Sequence, residues 1–370
     1  MALGIALGAV ALELGLHHLG GYGWRAVSEL SAEFGWLYLP GQDAAFVHDH
    51  AIGEHINSWR FRDREWKAPG AVDETGVLRV AAFGTSTTMG SGVRVEQAWP
   101  RRLEARLAEE LERRGDPRRA LVMNFGVPAY TTEQMMRVYE RIASRWHPDL
   151  VVVAIHPMDL RPMEHAIDEA DYPLRSALVR TATYDMLLQH VIGKGHGATG
   201  PMTPERRAWE AEYRAMTADP FATGTWPQWV RAAERISAVR EQLEAAGGEL
   251  VLVALPLVER WMPPHWPSPG LVFEGWVERE RQAAPGSRVR FLDPTEAFLA
   301  RQGELTQVIR ERGFAPHPRG TKAIDGSYPG WERSLYLTDD FGHFSPRGHA
   351  VLADLVFADL LEGGLLDPRD

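Results

Sequence analysis

The sequence contains no cysteine. That single absence excludes disulfides, thiolate zinc sites and a cysteine nucleophile, and it suits an oxidising compartment. Lysine is scarce, since the basic residues are nearly all arginine, and 50 acidic residues outweigh 40 basic ones for a net charge of −10. Phosphate binding needs a concentrated basic surface, so this balance argues against nucleic acid as the main partner. There is no internal repeat and no low-complexity tract. Long apolar runs are missing too, with one short exception at the start. "MALGIALGAVALELGL" is apolar from Ala2 to Leu16 apart from Glu13. It falls short of the roughly 20 residues a spanning helix needs, and it lacks a basic leader, because the first arginine is Arg25. Residues 1–20 read either as a signal-anchor or as an amphipathic or buried N-terminal helix. The first reading leads, with membrane attachment through the N-terminus and an envelope or exported location; a cytoplasmic protein is the alternative.

What is present is a globular composition, 45% hydrophobic and 24% charged over 370 residues, long enough for one elaborated α/β domain with a large core. Residues 21–76 form an irregular lead-in with many aromatic, glycine and proline punctuators. From Val77 a regular alternation begins. "VLRVAAF" (77–83) reads as a buried strand. "EQAWPRRLEARLAEELERRG" reads as a helix in which Leu103, Leu107 and Leu111 share a face. "ALVMNFG" is a second strand, and "TTEQMMRVYERIASRW" a second helix capped by Thr131 or Thr132. "DLVVVAI" is apolar without alternation, as a strand covered on both faces should be. An interruption at about 160–225 looks like a helical insertion and is the one lid candidate. A helix (229–248), a strand "ELVLVALPL", a proline- and tryptophan-rich loop (261–270) and a strand "SRVRFLDP" follow. The last helix, "SPRGHAVLADLVFADLLEGG", has Ser345 at its N-cap and Pro346 at N1. Strand–helix alternation predicts a parallel sheet in a three-layer α/β domain over residues 77–362.

In such sheets ligands bind beyond the carboxyl ends of the strands. Gly84-Thr85-Ser86 leaves the first strand there, "NFGVPAYTT" the second, and "HPMDL" the third; "TDDFGHFSPRGH" enters the last helix. Ser86 is open to three readings: a nucleophile on a sharp turn, part of a phosphate-binding loop, or a polar turn capping a short helix. The phosphate loop is weak, because "GTSTTMGSG" lacks the Gly-Lys-Ser/Thr ending. A serine nucleophile needs a base, most often histidine. Asp340 stands three residues before His343, a spacing that lets a carboxylate fix the ring tautomer; alternatively, Asp339 and Asp340 are surface acids near a helix N-terminus. His349 is expected to face its own helix rather than the site.

Together these segments resemble the SGNH/GDSL hydrolase superfamily. Its first block is Gly-Asp-Ser, here Gly84-Thr85-Ser86, running on to Gly90-Ser91-Gly92-Val93. The second is matched by "NFGVPAY", Asn124 to Tyr130, and the third, which usually ends Asn-Asp, by Met158-Asp159. The last, Asp-x-x-His, is Asp340-Phe341-Gly342-His343. "NSWRFRDRE" (57–65) resembles the approach segment of anchored bacterial members. The resemblance implies a flavodoxin-like α/β/α sandwich with a five-stranded parallel sheet. It implies Ser86 as nucleophile, His343 as general base and then acid, and Asp340 as its orienting carboxylate. The backbone N–H of Ser86 would be one oxyanion donor. The family's second donor is a glycine N–H, matched by Ala129, which keeps the donor but resists positive φ. The third is an asparagine side chain, matched by Met158, whose thioether donates nothing. Thr85 replaces the acid beside the nucleophile.

The sequence thus leads to a serine esterase, hydrolysing or transferring a small acyl group, with an O-acylated envelope or extracellular glycan as the substrate class. The competing reading is a weakened hydrolase fold that binds glycan or acts as a scaffold. No cofactor and no metal is implied. His48, His50 and His55 with Asp49 and Glu54 match no familiar ligand spacing and read as a solvated loop. Trp226, Trp229, Trp261, Trp266 and Trp276 either stack on sugar or, more simply, pack loops and helices. The charged 205–217 stretch reads as a solvated helix face.

Overall fold

A computed structural model describes residues 2–19, 28–31, 33–44, 54–70, 76–160, 181–187, 227–256, 269–298, 300–301, 335 and 343–367. The chain opens with helix α1 (Ala2–His18) and two small antiparallel pairs. These are β1 (Ser28–Ser31) with β2 (Gly35–Tyr38), and β3 (Gln42–Ala44) with β4 (Glu54–Ile56). The alternating part comprises β5 (Val77–Phe83), α2 (Ser86–Met89), α3 (Trp99–Arg114), β6 (Arg119–Asn124), α4 (Thr132–Arg141) and β7 (Leu150–Ile155). It continues with α5 (Ala182–Leu187), α6 (Pro227–Ala245), β8 (Glu249–Ala254), α7 (Pro269–Ala283), β9 (Val289–Leu292) and α8 (Pro346–Glu362).

The five-stranded sheet has the order β6-β5-β7-β8-β9 and every pair is parallel. The expected fold, a parallel α/β sandwich, is the observed one. Alternation along β5 builds the three layers, because successive side chains point to opposite faces. Leu78, Val80 and Ala82 join the core beneath α3 and α8, whereas Ala81 and Phe83 join the core with α4, α6 and α7. Leu103, Leu107 and Leu111 of α3 are buried, as their spacing predicts. Each such side chain contributes about 1.5–3 kcal/mol on burial. Thr131 is the cap of α4, in a reciprocal pair with Gln134.

Several expectations change. The lead-in is not wholly irregular, since it supplies the four short strands. Helix α7 was not anticipated between the fourth and fifth strands. Trp276 lies on it, buried in the core at 3% exposure, so its role is packing. Trp226, Trp261, Trp266 and the side chain of Trp229 lie outside the described residues, as do 205–217 and most of the 160–225 insertion. Helix α1 is neither amphipathic nor buried. It is apolar around its circumference and exposed. No helix among the described residues is long and apolar enough to cross a membrane.

The sheet order places the change of winding direction between β5 and β7, the crevice where ligands bind in folds of this kind. Ser86 leaves the carboxyl end of β5, and the turn Pro157–Leu160 leaves that of β7.

Candidate active site

Ser86 is the first residue of α2, and Thr85 is its N-cap without a side-chain cap bond. The first N–H groups of a helix have no partner within it, so the Ser86 N–H faces outward from the turn. Gly84 is needed because a Cβ there would stand 2.0 Å from Thr88 Oγ1 and 2.7 Å from the Ala154 carbonyl oxygen. Helix α2 closes at Gly90, with φ +86°. The turn is therefore short, close-packed and rigid beneath a half-buried serine.

His343 meets that serine. Its Nε2 lies 2.7 Å from Ser86 Oγ, across 257 residues of sequence. Asp340 lies outside the described residues. The link between the two ends of the chain continues below the surface. His349, on α8, is buried, and its Nδ1 accepts a hydrogen bond from the Trp99 backbone N–H at 3.3 Å. The Trp99 indole N–H donates to Thr88 Oγ1 at 3.3 Å, on α2 itself. His349 thus turns toward the start of α3 rather than only along its own helix, and it ties the histidine-bearing segment to the serine-bearing one. Its acceptor role puts the ring proton on Nε2, which has no partner. Burial, helped by the positive charges of Arg102, Arg62 and His343, pulls its pKa down to about 3. It stays neutral.

The loop after β6 is fastened to the same turn. Val127 N–H donates to the Gly84 carbonyl at 3.1 Å. Asn124 Nδ2 donates to Thr88 O at 3.0 Å, while its Oδ1 accepts from Gly126 N at 2.9 Å. Gly126 has no room for a side chain, since a Cβ would come within 2.3 Å of the Met89 nitrogen. Ala129, on this loop, has φ +59°. A non-glycine residue in the left-handed region is a local strain of a kind that clusters at functional sites. Glycine would adopt this conformation without that strain.

The third loop carries His156 and Met158. Asp159 is buried and its Oδ2 accepts from His156 N at 2.8 Å, closing the turn. The Met158 side chain lies outside the described residues. The His156 ring is buried, and desolvation with the nearby charge of His343 lowers its pKa to about 4 against the opposing pull of the Leu255 backbone. The neutral ring carries a single N–H, and its Nδ1 is buried without a hydrogen-bond partner among the described residues.

Residues of the lead-in also shape the site, which the sequence hinted at only through the 57–65 segment. Arg62, fully buried, donates to the carbonyls of Met89 (3.0 Å), Gly90 (2.8 Å) and Val93 (2.6 Å). It thereby gathers the end of α2. Asp63 accepts from Asn124 N, Trp66 Nε1 and Arg64 N. Burial nevertheless pushes its carboxyl up to about 6. His55 stands 3.3 Å from Glu65 rather than in a ligand set. Among the described residues no group of three such side chains is arranged to hold a metal; His48, Asp49 and His50 lie outside them.

The family model for GDSL-like lipases and acylhydrolases matches residues 82–351. The chain belongs to this family. It is a hydrolase acting on ester bonds. Among solved structures, this GDSL-like hydrolase is similar to the lipase/acylhydrolase from Enterococcus faecalis, at 14% identity, covering 79% of this chain and 98% of that one with a TM-score of 0.38. It is also similar to an acetylxylan esterase from Geobacillus stearothermophilus (13% identity, 80% and 100% covered, TM-score 0.38). A third is a psychrotrophic esterase from Pseudoalteromonas sp. (8% identity, 77% and 97% covered, TM-score 0.38). No curated protein matches the sequence.

Proposed function

We propose that this hydrolase is a serine esterase that removes a small acyl group through an acyl-Ser86 intermediate. The observation that carries this reading is the 2.7 Å approach of His343 Nε2 to Ser86 Oγ. Ser86 Oγ attacks the ester carbonyl carbon as its proton passes to His343 Nε2. The oxyanion is met by the N–H groups of Ser86 and Ala129. When the bond to the alcohol oxygen breaks, His343 returns the proton to that oxygen, and the acyl group stays on Ser86. Water then attacks the acyl carbonyl, its proton goes to His343, and collapse releases the carboxylic acid and restores the serine. Asp340 orients His343 and balances its charge.

The substrate class is an O-acylated glycan of the cell envelope or exterior. The family resemblance supports that choice, and the leading reading of the N-terminus agrees with it. Transfer to a sugar hydroxyl in place of water follows the same path.

A fluorophosphonate probe tests the serine directly. Attack forms an O–P bond at Ser86 and expels fluoride. Wild type gains one phosphonyl group on the peptide carrying Ser86, and folded Ser86→Ala gains none. A folded wild type that stays unlabelled favours the glycan-binding module instead. Release of acetate from acetylated xylan or acetylated peptidoglycan, absent in Ser86→Ala, tests the glycan. Activity on small aryl esters alone removes that part of the proposal.

A further inference from the structure

Helix α1 is the least explained element of the molecule. Seven consecutive residues, Ala6–Leu12, are exposed. At 3.6 residues per turn they cover almost two complete turns, so no face of that stretch is shielded. The exposed side chains are apolar: Leu7 at 62%, Val10 at 56%, Leu12 at 55% and Leu14 at 42% exposure. A Cβ placed on Gly4, Gly8 or Gly15 would meet nothing within 4 Å. The one acid in the apolar run is not left bare. Glu13 Oε2 accepts from Thr183 N at 3.0 Å and from Thr183 Oγ1 at 2.8 Å, both on α5. The other ionisable residues of α1, His17 and His18, stand at its C-terminal end.

We infer that α1 with α5 is a lipid-docking unit whose apolar surface enters the hydrocarbon region of a bilayer. Three observations select lipid over another occupant. A protein partner covers one face of a helix, whereas over Ala6–Leu12 every face is apolar and open. A helix that is hydrophobic all round is stable in a core or in lipid, and no core surrounds this one. The one carboxylate of α1, Glu13, is turned onto Thr183, which lowers the cost of taking it out of water. The unit has no lysine or arginine on α1, so attraction to acidic headgroups is not the driving force. At about 25 Å the helix is shorter than the roughly 30 Å hydrocarbon layer, so it embeds without needing to cross. This inference is independent of the catalytic reading.

The chain's lack of cysteine makes the test clean. Single Leu7→Cys and Leu12→Cys variants, which lie on nearly opposite sides of the helix, are labelled with an environment-sensitive fluorophore and mixed with phosphatidylcholine vesicles. Both labels should brighten and shift to the blue, and 1 M salt should not reverse the change. Full-length wild type should float with the vesicles on a density gradient. A Leu7→Asp/Val10→Asp/Leu12→Asp variant should lose at least tenfold in vesicle-bound protein while hydrolysing a water-soluble ester within twofold of wild type, which also shows that it folds. A response at one label only would mean a one-sided contact and refute the embedding. Wild type that stays soluble as a discrete α1-dependent oligomer would assign the surface to a second copy of the chain and overturn the inference, as would a triple variant that floats equally well.

Discussion

Ala129 holds φ at +59°, where an L side chain crowds its own carbonyl. The left-handed conformation costs about 1–2 kcal/mol for such a residue. Glycine avoids most of that cost but loses about 0.5–1 kcal/mol in chain entropy. Ala129→Gly should therefore stabilise the fold by about 0.5–1 kcal/mol in urea unfolding, and leave hydrolysis equal or faster, since the N–H donor is unchanged. Loss of stability would show that the methyl group is held by contacts that outweigh the strain. Met158 makes the opposite case. An oxyanion donor is worth about 10²–10³ in rate, and the position matched to the family's asparagine carries a thioether. Met158→Asn should raise kcat; an unchanged or lower kcat in a folded variant contradicts the view that a donor is missing. At this scale much was legible in sequence. Ser86 and His343 stand out as polar residues at the ends of apolar elements. Trp99, Thr88, Arg62 and Asp63 did not, because a residue that works by reaching another segment leaves no periodic trace.

Helices α2, α3 and α8 meet through one hydrogen-bonded relay, from the His349 ring to the Trp99 backbone and from the Trp99 indole to Thr88. Trp99→Phe keeps an apolar ring and deletes the indole donor. A neutral hydrogen bond of this kind contributes about 1 kcal/mol. We expect stability to fall by about that amount, and kcat to fall several-fold with KM within twofold, because the serine loses its support and not its substrate contacts. Equal changes in kcat and KM, or none, would detach the relay from the serine. Gly126→Ala is harsher. Its Cβ would press on the Met89 nitrogen and the Thr88 carbonyl carbon, both backbone, so α2 must shift and kcat should drop at least tenfold. The strands were read well because their apolar runs are long and covered on both faces. Helix α7 was missed for a clear reason. Its charged residues follow a proline-rich stretch, and Gly270 sits at its second position, so turn signals masked the helical spacing. The hairpins of the lead-in are three- and four-residue strands, too short for alternation to register.

For the whole molecule, buried ionisable groups set the acid response. His156 and His349 have pKa values near 4 and 3 in the fold, against 6.5 when exposed. The unfolded chain therefore binds more protons than the folded one below pH 6.5, so these two rings lose stability on acidification. Asp63 acts the other way, because its raised pKa of about 6 favours the folded state as it becomes protonated. Each unit of separation is about 1.4 kcal/mol. Two rings against one carboxyl leave a net loss of roughly 3 kcal/mol between pH 7 and pH 4.5. Urea unfolding at the two pH values measures it, and flat or rising stability would show that the rings are not held neutral. The fold that generates this burial also joins the two ends of the sequence at one rim of the sheet. The most direct test of that meeting is a double-mutant cycle on kcat/KM with Ser86→Ala, His343→Ala and the pair. Residues that act as one unit are not additive: each single variant should lose nearly all hydrolysis, and the double variant should lose no more. Activity surviving in either single variant, or losses that multiply in the pair, would contradict the account.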